Sequence, residues 1–195
     1  MIKIPNSKQF NVVIVGTGGQ GLITLLKILA EAAMLQGFDV KASELHGLSQ
    51  RGGSVECHIR FGKKVYSPLV GAGGADLVIA LEQNEALRAA YYGSKKKTIF
   101  LINKLNIFSP AASGKSISLD RISKDLNKFA KKIVILDASE IVKKETGAIV
   151  TTGIYMLGYG IHKGLIPLKE ESVSKAINKI IKEKYLELNL KVFNL

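Results

Sequence analysis

Apolar and polar positions along this chain follow two periods, and each change of period marks an element. Residues 10–15, Phe10-Asn11-Val12-Val13-Ile14-Val15, form a short β-branched run that stops at a glycine, which predicts a buried strand. From residue 21 to 36 the spacing turns helical, with Leu22, Leu25, Leu26, Leu29 and Ala33 on one side and Gly37 as the stop signal. The polar stripe of that helix is only Thr24, Lys27 and Glu31. So narrow a stripe predicts cover on most sides, by a sheet and by another subunit. Residues 38–43 read as a second strand. From Ser54 the pattern alternates strictly, with Val55, Cys57, Ile59 and Phe61 facing one way and Glu56, His58 and Arg60 the other. That predicts a half-buried strand, antiparallel or at an edge, with His58 on its outer surface. Gly62-Lys63-Lys64 reads as a hairpin turn into Val65-Tyr66.

Residues 76–81 predict a second buried parallel strand, 85–92 a helix and 98–103 another strand. Residues 119–130 read as a helix with Ile122, Leu126 and Phe129 on one side. A strand over 133–136 ends at Asp137, and 138–144 is helical. Thr151 or Thr152 is placed to cap a helix running through Ile161, and 170–184 is a last amphipathic helix. Strands alternating with helices predict an α/β fold: a three-layer Rossmann-like sandwich, its sheet mainly parallel with an antiparallel edge hairpin. No repeat or linker divides the chain, so residues 1–195 are expected to form a single domain.

Composition narrows the chemistry. Of 195 residues, 47% are hydrophobic and 23% charged, which is globular and excludes a disordered or collagenous chain. The one cysteine, Cys57, rules out an intrachain disulfide. It also rules out an iron–sulfur cluster held by this chain, since clusters take about four cysteine ligands. Cys57 lies on the apolar phase of its strand and reads as a small buried hydrophobe. His46, His58 and His162 lie far apart, so no metal site is expected; His162 sits near a helix end, where it suits the dipole. The net charge of +12 comes from 28 basic and 16 acidic residues. The excess is spread along the chain, without a zinc finger, an aromatic RNA-binding motif or a DNA-reading helix. It therefore points away from nucleic acid, toward an anionic partner protein or a phosphate-bearing ligand. Residues 1–8 lack the apolar core of an export signal, and the uncharged run 9–26 is cut by glycines rather than spanning a membrane. A reduced cysteine without an export signal places the chain in the cytoplasm.

Candidate chemistry gathers in two loops. Gly16-x-Gly18-x-x-Gly21 follows a buried strand and opens a helix, with Gly19 and Gln20 inside it. Glycines allow the backbone to approach a ligand, and the helix N-terminus offers free N–H groups to an anion. Glu44, 23 residues past Gly21, is the acidic residue a dinucleotide site would need. Two readings stand: contact with a nucleotide or other anion, or close strand–helix packing and subunit contact. The second loop, residues 46–54, carries His46, Gln50, Arg51, Gly52, Gly53 and Ser54 at the expected C-terminal edge of the sheet. An arginine there can fork onto a carboxylate or phosphate; the plainer reading is a surface loop. Tyr66-Ser67-Pro68-Leu69 and the glycine-rich residues 71–74 make a further loop. No catalytic arrangement such as a Tyr-Lys or His-Asp pair stands out.

Together these segments resemble a known family. Gly16-Thr17-Gly18-Gly19-Gln20-Gly21, Ser43-Glu44-Leu45-His46-Gly47-Leu48-Ser49-Gln50-Arg51-Gly52-Gly53-Ser54-Val55 and Val65-Tyr66-Ser67-Pro68-Leu69 are similar to the gamma-type domain of 2-oxoacid:ferredoxin oxidoreductases. Within that family the likeness is greatest to the beta subunit of indolepyruvate ferredoxin oxidoreductase. Ala75-Asp76-Leu77-Val78-Ile79-Ala80-Leu81-Glu82, Asp137-Ala138, Met156-Leu157-Gly158 and Glu187-Leu188-Asn189-Leu190-Lys191 continue it. Gly153 stands where the family usually has an Asn. The resemblance implies a part in oxidative decarboxylation of a 2-oxoacid with coenzyme A to acyl-CoA and carbon dioxide, with ferredoxin as electron acceptor. It implies that thiamine diphosphate and iron–sulfur clusters belong to a larger partner subunit, with no cofactor in this chain. The glycine loop and residues 46–54 would face that partner, near the thiamine or coenzyme A site. The alternatives are a free-standing NAD(P)-dependent dehydrogenase or a nucleotide-binding module.

Overall fold

The buried β-branched run does form the centre of a sheet. In a computed structural model of the chain, which describes residues 9–46, 53–107 and 117–195, it is β1 (Gln9–Thr17). The other strands are β2 (Asp39–His46), β3 (Ser54–Gly62), β4 (Leu77–Ala80), β5 (Ser94–Asn103) and β6 (Ala130–Leu136). They line up as β2-β3-β1-β4-β5-β6. β1, β4, β5 and β6 are parallel, while β3 runs antiparallel to both β1 and β2. The antiparallel edge pair is thus β2–β3, with β2 outermost. Val65-Tyr66 does not add a strand. The chain after β3 instead crosses the polar face of β3: Val70 N–H donates to His58 Nδ1 (3.0 Å), and Arg60 Nη1 donates to the Ser67 and Leu69 carbonyls (3.0 and 3.1 Å). Alternation reveals that one side of a strand is polar; it does not say whether water or backbone will meet it.

Strict period-2 alternation sends side chains to two cores. Phe10, Val12 and Ile14 of β1, Ile79 of β4, Leu101 of β5 and Cys57, Ile59 and Phe61 of β3 face one side. There they meet α1 (Leu22–Leu35), α5 (Thr152–His162), α6 (Glu170–Ile180) and α7 (Glu183–Phe193). Val13, Val15, Val78, Ala80, Phe100 and Ile102 face the other side. These lie under α2 (Gln83–Arg88), the 3-10 turn Ala89–Tyr92 and α3 (Leu119–Leu126). α4 (Ala138–Thr146) returns to the first face, where Ala138 and Val142 are buried. α1 is covered much as its narrow stripe predicts, largely by its own chain. Its buried side chains pack on the sheet, and Glu31 pairs with Lys179 of α6 at 2.8 Å. Ile23, Met34 and Leu35 stay exposed.

Three boundaries differ from the periodic reading. The helix expected over 170–184 ends at Ile180, and α7, which the periodic reading did not place, starts at Glu183 after Ile181 and Lys182 take extended ψ angles of 134° and 141°. The break lets α7 fold back and bury Val192 and Phe193 against α5, a long-range gain that local propensity does not register. α3 stops at Leu126, so Phe129 lies in the turn before β6 and stays exposed. Neither Thr151 nor Thr152 caps α5 through its side chain: Thr152 Oγ1 donates back to the Ile149 carbonyl at 2.7 Å. Among the described residues, no helix is long and apolar enough to cross a membrane.

The α5–α7 contact depends on Gly158, where an added Cβ would run into the Phe193 carbonyl. Helix propensity favours alanine over glycine by about 1 kcal/mol, but a backbone neighbour cannot rotate aside. Gly158→Ala is therefore expected to cost about 1–3 kcal/mol net and to lower the melting temperature by about 5 °C. Gly71→Ala, which meets nothing within 4 Å, should leave it unchanged in the same thermal melts.

Candidate functional site

α1 leaves β1 toward one face of the sheet, and α2 leaves β4 toward the other. Between these neighbouring strands the chain diverges, and in open α/β sheets that switch point at the C-terminal edge is where ligands bind. The glycine loop lies there. Gly19 and Gly21 hold positive φ angles of 99° and 81°, which side chains rarely adopt. Gly16 lies in the buried stretch of β1, one residue before its end, and a Cβ on it would press on Leu81 Cβ at 3.2 Å. Gln20 folds back over the loop: its Oε1 accepts from the Thr17 N–H (2.7 Å), and its Nε2 donates to the Leu81 carbonyl (3.2 Å). Gly18 N–H donates to the Gly53 carbonyl at 2.9 Å. The glycine loop and the end of the 46–54 segment are thus joined.

Ser54 opens β3, and its hydroxyl donates to Glu85 Oε2 at 2.5 Å. Burial raises the Glu85 carboxyl, an effect that Ser54 and the Arg88 guanidinium (3.2 Å) oppose. Glu82 caps α2 by accepting the N–H groups of Asn84 and Glu85 (2.7 and 3.0 Å). Next along β3, Glu56 Oε1 accepts from His58 Nε2 (2.8 Å) and from the Tyr92 hydroxyl (2.6 Å). Because Val70 N–H occupies His58 Nδ1, the ring proton sits on Nε2. Burial would raise the Glu56 carboxyl, but these donors outweigh it and hold the carboxyl below its usual value. His58 is only 1% exposed, so it is a core residue rather than the surface residue its strand phase suggested. Cys57 is fully buried and its thiol is pushed up to about 12 by burial. It is no nucleophile.

His46 is the last residue of β2, opposite Val55. Gln50, Arg51 and Gly52 lie outside the described residues. Glu44 pairs with Cys57, which pairs with Ile14. It is therefore two strand spacings, about 10 Å, from β1, with β3 between. In a dinucleotide fold the second strand neighbours the first and brings its acid beside the glycine loop. Two cavities adjoin the loop and share Gln20 and Val150. One, of about 600 Å³, lies between α1, α5 and α7. The other, of about 300 Å³, is bounded by Gly19, Leu81, Leu105, Ser139 and Thr152. No group of three His, Cys, Asp or Glu able to hold a metal occurs among the described residues. Sequence reasoning missed the Glu85–Ser54 and Glu56–His58–Tyr92 clusters. Ser54 and Glu85 are 31 residues apart and Glu56 and Tyr92 are 36 apart, so no local spacing signals those pairs; only Glu56 and His58, two residues apart on one strand face, are local.

A family model described as pyruvate ferredoxin/flavodoxin oxidoreductase matches residues 11–195. Indolepyruvate oxidoreductase subunit IorB of Archaeoglobus fulgidus is 40% identical over 190 residues, covering 96% of this chain and 93% of that protein. The gamma subunit of a keto/oxoacid ferredoxin oxidoreductase from Geobacter sulfurreducens shares the fold, with a TM-score of 0.70 at 22% identity and 94% of each chain covered. So does a 2-oxoglutarate:ferredoxin oxidoreductase from Magnetococcus marinus (TM-score 0.71, 18% identity), where 96% of this chain covers 30% of that one.

The Glu56 carboxyl titrates lower in the folded chain than its ordinary 4.5. Its stabilisation is therefore fully present above pH 4.5 and is lost as pH falls through the folded value. Glu56→Gln should lose about 1 kcal/mol at neutral pH, the difference between charged and neutral hydrogen bonds. Urea unfolding of the two proteins should converge as pH drops below 4.5. A gap of constant size across that range would remove the charge from the account.

Proposed function

Because the chain belongs to the pyruvate ferredoxin/flavodoxin oxidoreductase family, we propose that it is the non-cluster subunit of a 2-oxoacid:ferredoxin oxidoreductase acting on indolepyruvate or another arylpyruvate. Residues 1–195 form its one gamma-type domain. In the reaction, the 2-oxoacid loses its carboxyl group as carbon dioxide, the coenzyme A thiol takes the acyl group, and the electrons pass to ferredoxin. The observation that carries this reading is the 40% identity to the Archaeoglobus subunit across nearly the full length of both chains. A family model alone would not separate indolepyruvate from other 2-oxoacids.

The donor set supports a division of labour. A single buried cysteine with a strongly raised thiol does not fit an iron–sulfur cluster. The described residues likewise offer no carboxylate cluster for the metal that would anchor a diphosphate. Thiamine diphosphate and the clusters therefore sit in a larger partner subunit, in the cytoplasm. We assign the contact with that subunit or with coenzyme A to Gly16, Gly18, Gly19, Gln20, Gly21, His46, Gln50, Arg51, Gly52, Gly53 and Ser54. The sheet order favours this over a nicotinamide dehydrogenase, since β3 stands between Glu44 and the glycine loop.

Purified alone, the chain should not turn over arylpyruvate with coenzyme A and a viologen dye. Co-expressed with the larger thiamine- and cluster-bearing subunit, it should co-purify as a brown complex that does. Substantial turnover by the isolated chain would overturn the subunit reading. Arg51→Ala should melt within about 0.5 kcal/mol of wild type, as loop substitutions do. It should weaken turnover or assembly about tenfold, since a charged hydrogen bond is worth about 1.5–3 kcal/mol. Arg51→Lys should not restore it, because an ammonium lacks the paired donors. Unchanged assembly and kinetics in the reconstituted complex would make Arg51 an ordinary loop residue.

A further inference from the structure

We propose that the cavity of about 600 Å³ between α1, α5 and α7 binds an uncharged, largely apolar molecule that carries a hydroxyl or N–H donor, and that Asn189 Oδ1 accepts from that donor. The inference is independent of the assembly reading, since every group it uses belongs to this chain. The volume is that of a small-molecule pocket. Leu25, Ile154, Ile180, Ile181 and Leu188 give it apolar walls. No Asp or Glu lines it, and its two lysines, Lys27 and Lys182, are exposed. Recognition inside it falls to neutral groups.

Asn189 of α7 supplies the first of these. The residue lines the cavity and is 6% exposed. Its Nδ2 donates to the Tyr185 carbonyl at 2.7 Å, which fixes the other end of the amide as the oxygen. That Oδ1 accepts no hydrogen bond from the described residues. Nor is it sealed in, because among the described residues the Thr151 hydroxyl is the one side-chain polar atom both unpaired and closed to solvent. With the rest of the side chain packed away, the space open to Oδ1 is the cavity. Buried polar groups are almost always paired, so an unpaired acceptor on such a wall marks the place of a donor.

The remaining walls agree. Thr24, half-buried on α1, makes no hydrogen bond through its hydroxyl to the described residues and offers a second neutral group. Gln20 offers none, since Thr17 and Leu81 occupy both ends of its amide. Gly153 keeps the α5 wall low. Gly158 and Gly160 of the same helix are required by close neighbours, the Phe193 backbone and the Ile166 side chain. A Cβ at Gly153 would stand 3.7 Å from Leu25 and Leu81, an ordinary contact, so packing does not call for glycine there.

The test is a fluorescence titration of the purified full-length chain with 2-naphthol and with 2-methoxynaphthalene, the same ring without a donor. The chain has no Trp to overlap the probes. 2-Naphthol should bind saturably and about fivefold more tightly than its methyl ether, the worth of one neutral hydrogen bond. Asn189→Leu keeps the side-chain size and removes the acceptor; it should bring 2-naphthol down to the affinity of the ether and leave the ether unchanged. Leu188→Trp, at a half-buried position on the cavity wall, fills the space and should abolish binding of both probes, read by excitation beyond the Trp band; it decides the matter if Asn189→Leu does not fold. Equal affinity for the two probes, or no saturable signal with either, would overturn the proposal. So would wild-type discrimination in folded Asn189→Leu, or wild-type affinity in Leu188→Trp.

Discussion

β1 has an antiparallel neighbour on one side and a parallel neighbour on the other, and most of the molecule follows from that placement. A strand buried on both faces must satisfy its N–H and C=O groups laterally; β3 does so along the whole of β1, and β4 over Val12 to Val15. The pairing brings three chain segments to the C-terminal end of β1: the glycine loop, Gly53–Ser54 and the turn after Leu81. Gln20 and Gly18 then lock them with three hydrogen bonds between 2.7 and 3.2 Å. The glycine loop is therefore a junction as well as an edge of two cavities. Close packing at Gly16 and backbone accessibility at Gly19 are properties of different residues in the same six.

The position of β3 also decides the fate of its polar side chains. Placed between β1 and β2, it keeps His58 from water and leaves Glu56 and Arg60 only partly exposed, because the segment after it crosses that face. Each group is answered within the fold: Arg60 by Asn11, Ser67 and Leu69, His58 by Val70, and Glu56 by His58 and Tyr92. A buried polar set held this completely fixes one register for the crossing segment, since any slip would orphan a charged group. The same geometry moves Glu44 to an outer strand, which separates this sheet from the dinucleotide-binding arrangement its glycine spacing resembles.

The two faces of the sheet carry different work. On the face under α2, the 3-10 turn and α3, Glu82, Glu85 and Glu56 are held in hydrogen-bonded networks. On the other face, α5 and α7 lean away from α1 at the cavity, and the broken link at Ile181–Lys182 leaves room there. The family provides the larger frame. Under the proposed assembly, what this chain contributes is an edge, a cavity and the loops between them.

The linear pattern by itself determined the class of the fold. Apolar and alternating runs located all six strands to within a few residues, the helical periods located the main helices, and one cysteine excluded a resident cluster. The glycine spacing and the Ser43–Val55 string carried the family. These are signals written within some ten residues, where steric and hydrophobic rules act directly on neighbours. What only the tertiary structure decided lies at longer range. The apolar phase of Phe129 promised more helix, but the start of β6 ended it. The helix expected over 170–184 ends at Ile180, and a separate α7 packs Phe193 against Gly158. His58 went inward because a segment twelve residues later supplied its acceptor's mate at Val70. The Thr151 hydroxyl is buried without a partner among the described residues while that of Thr152 is bonded, because hydrogen-bond satisfaction is a property of the packed whole rather than of any stretch of chain.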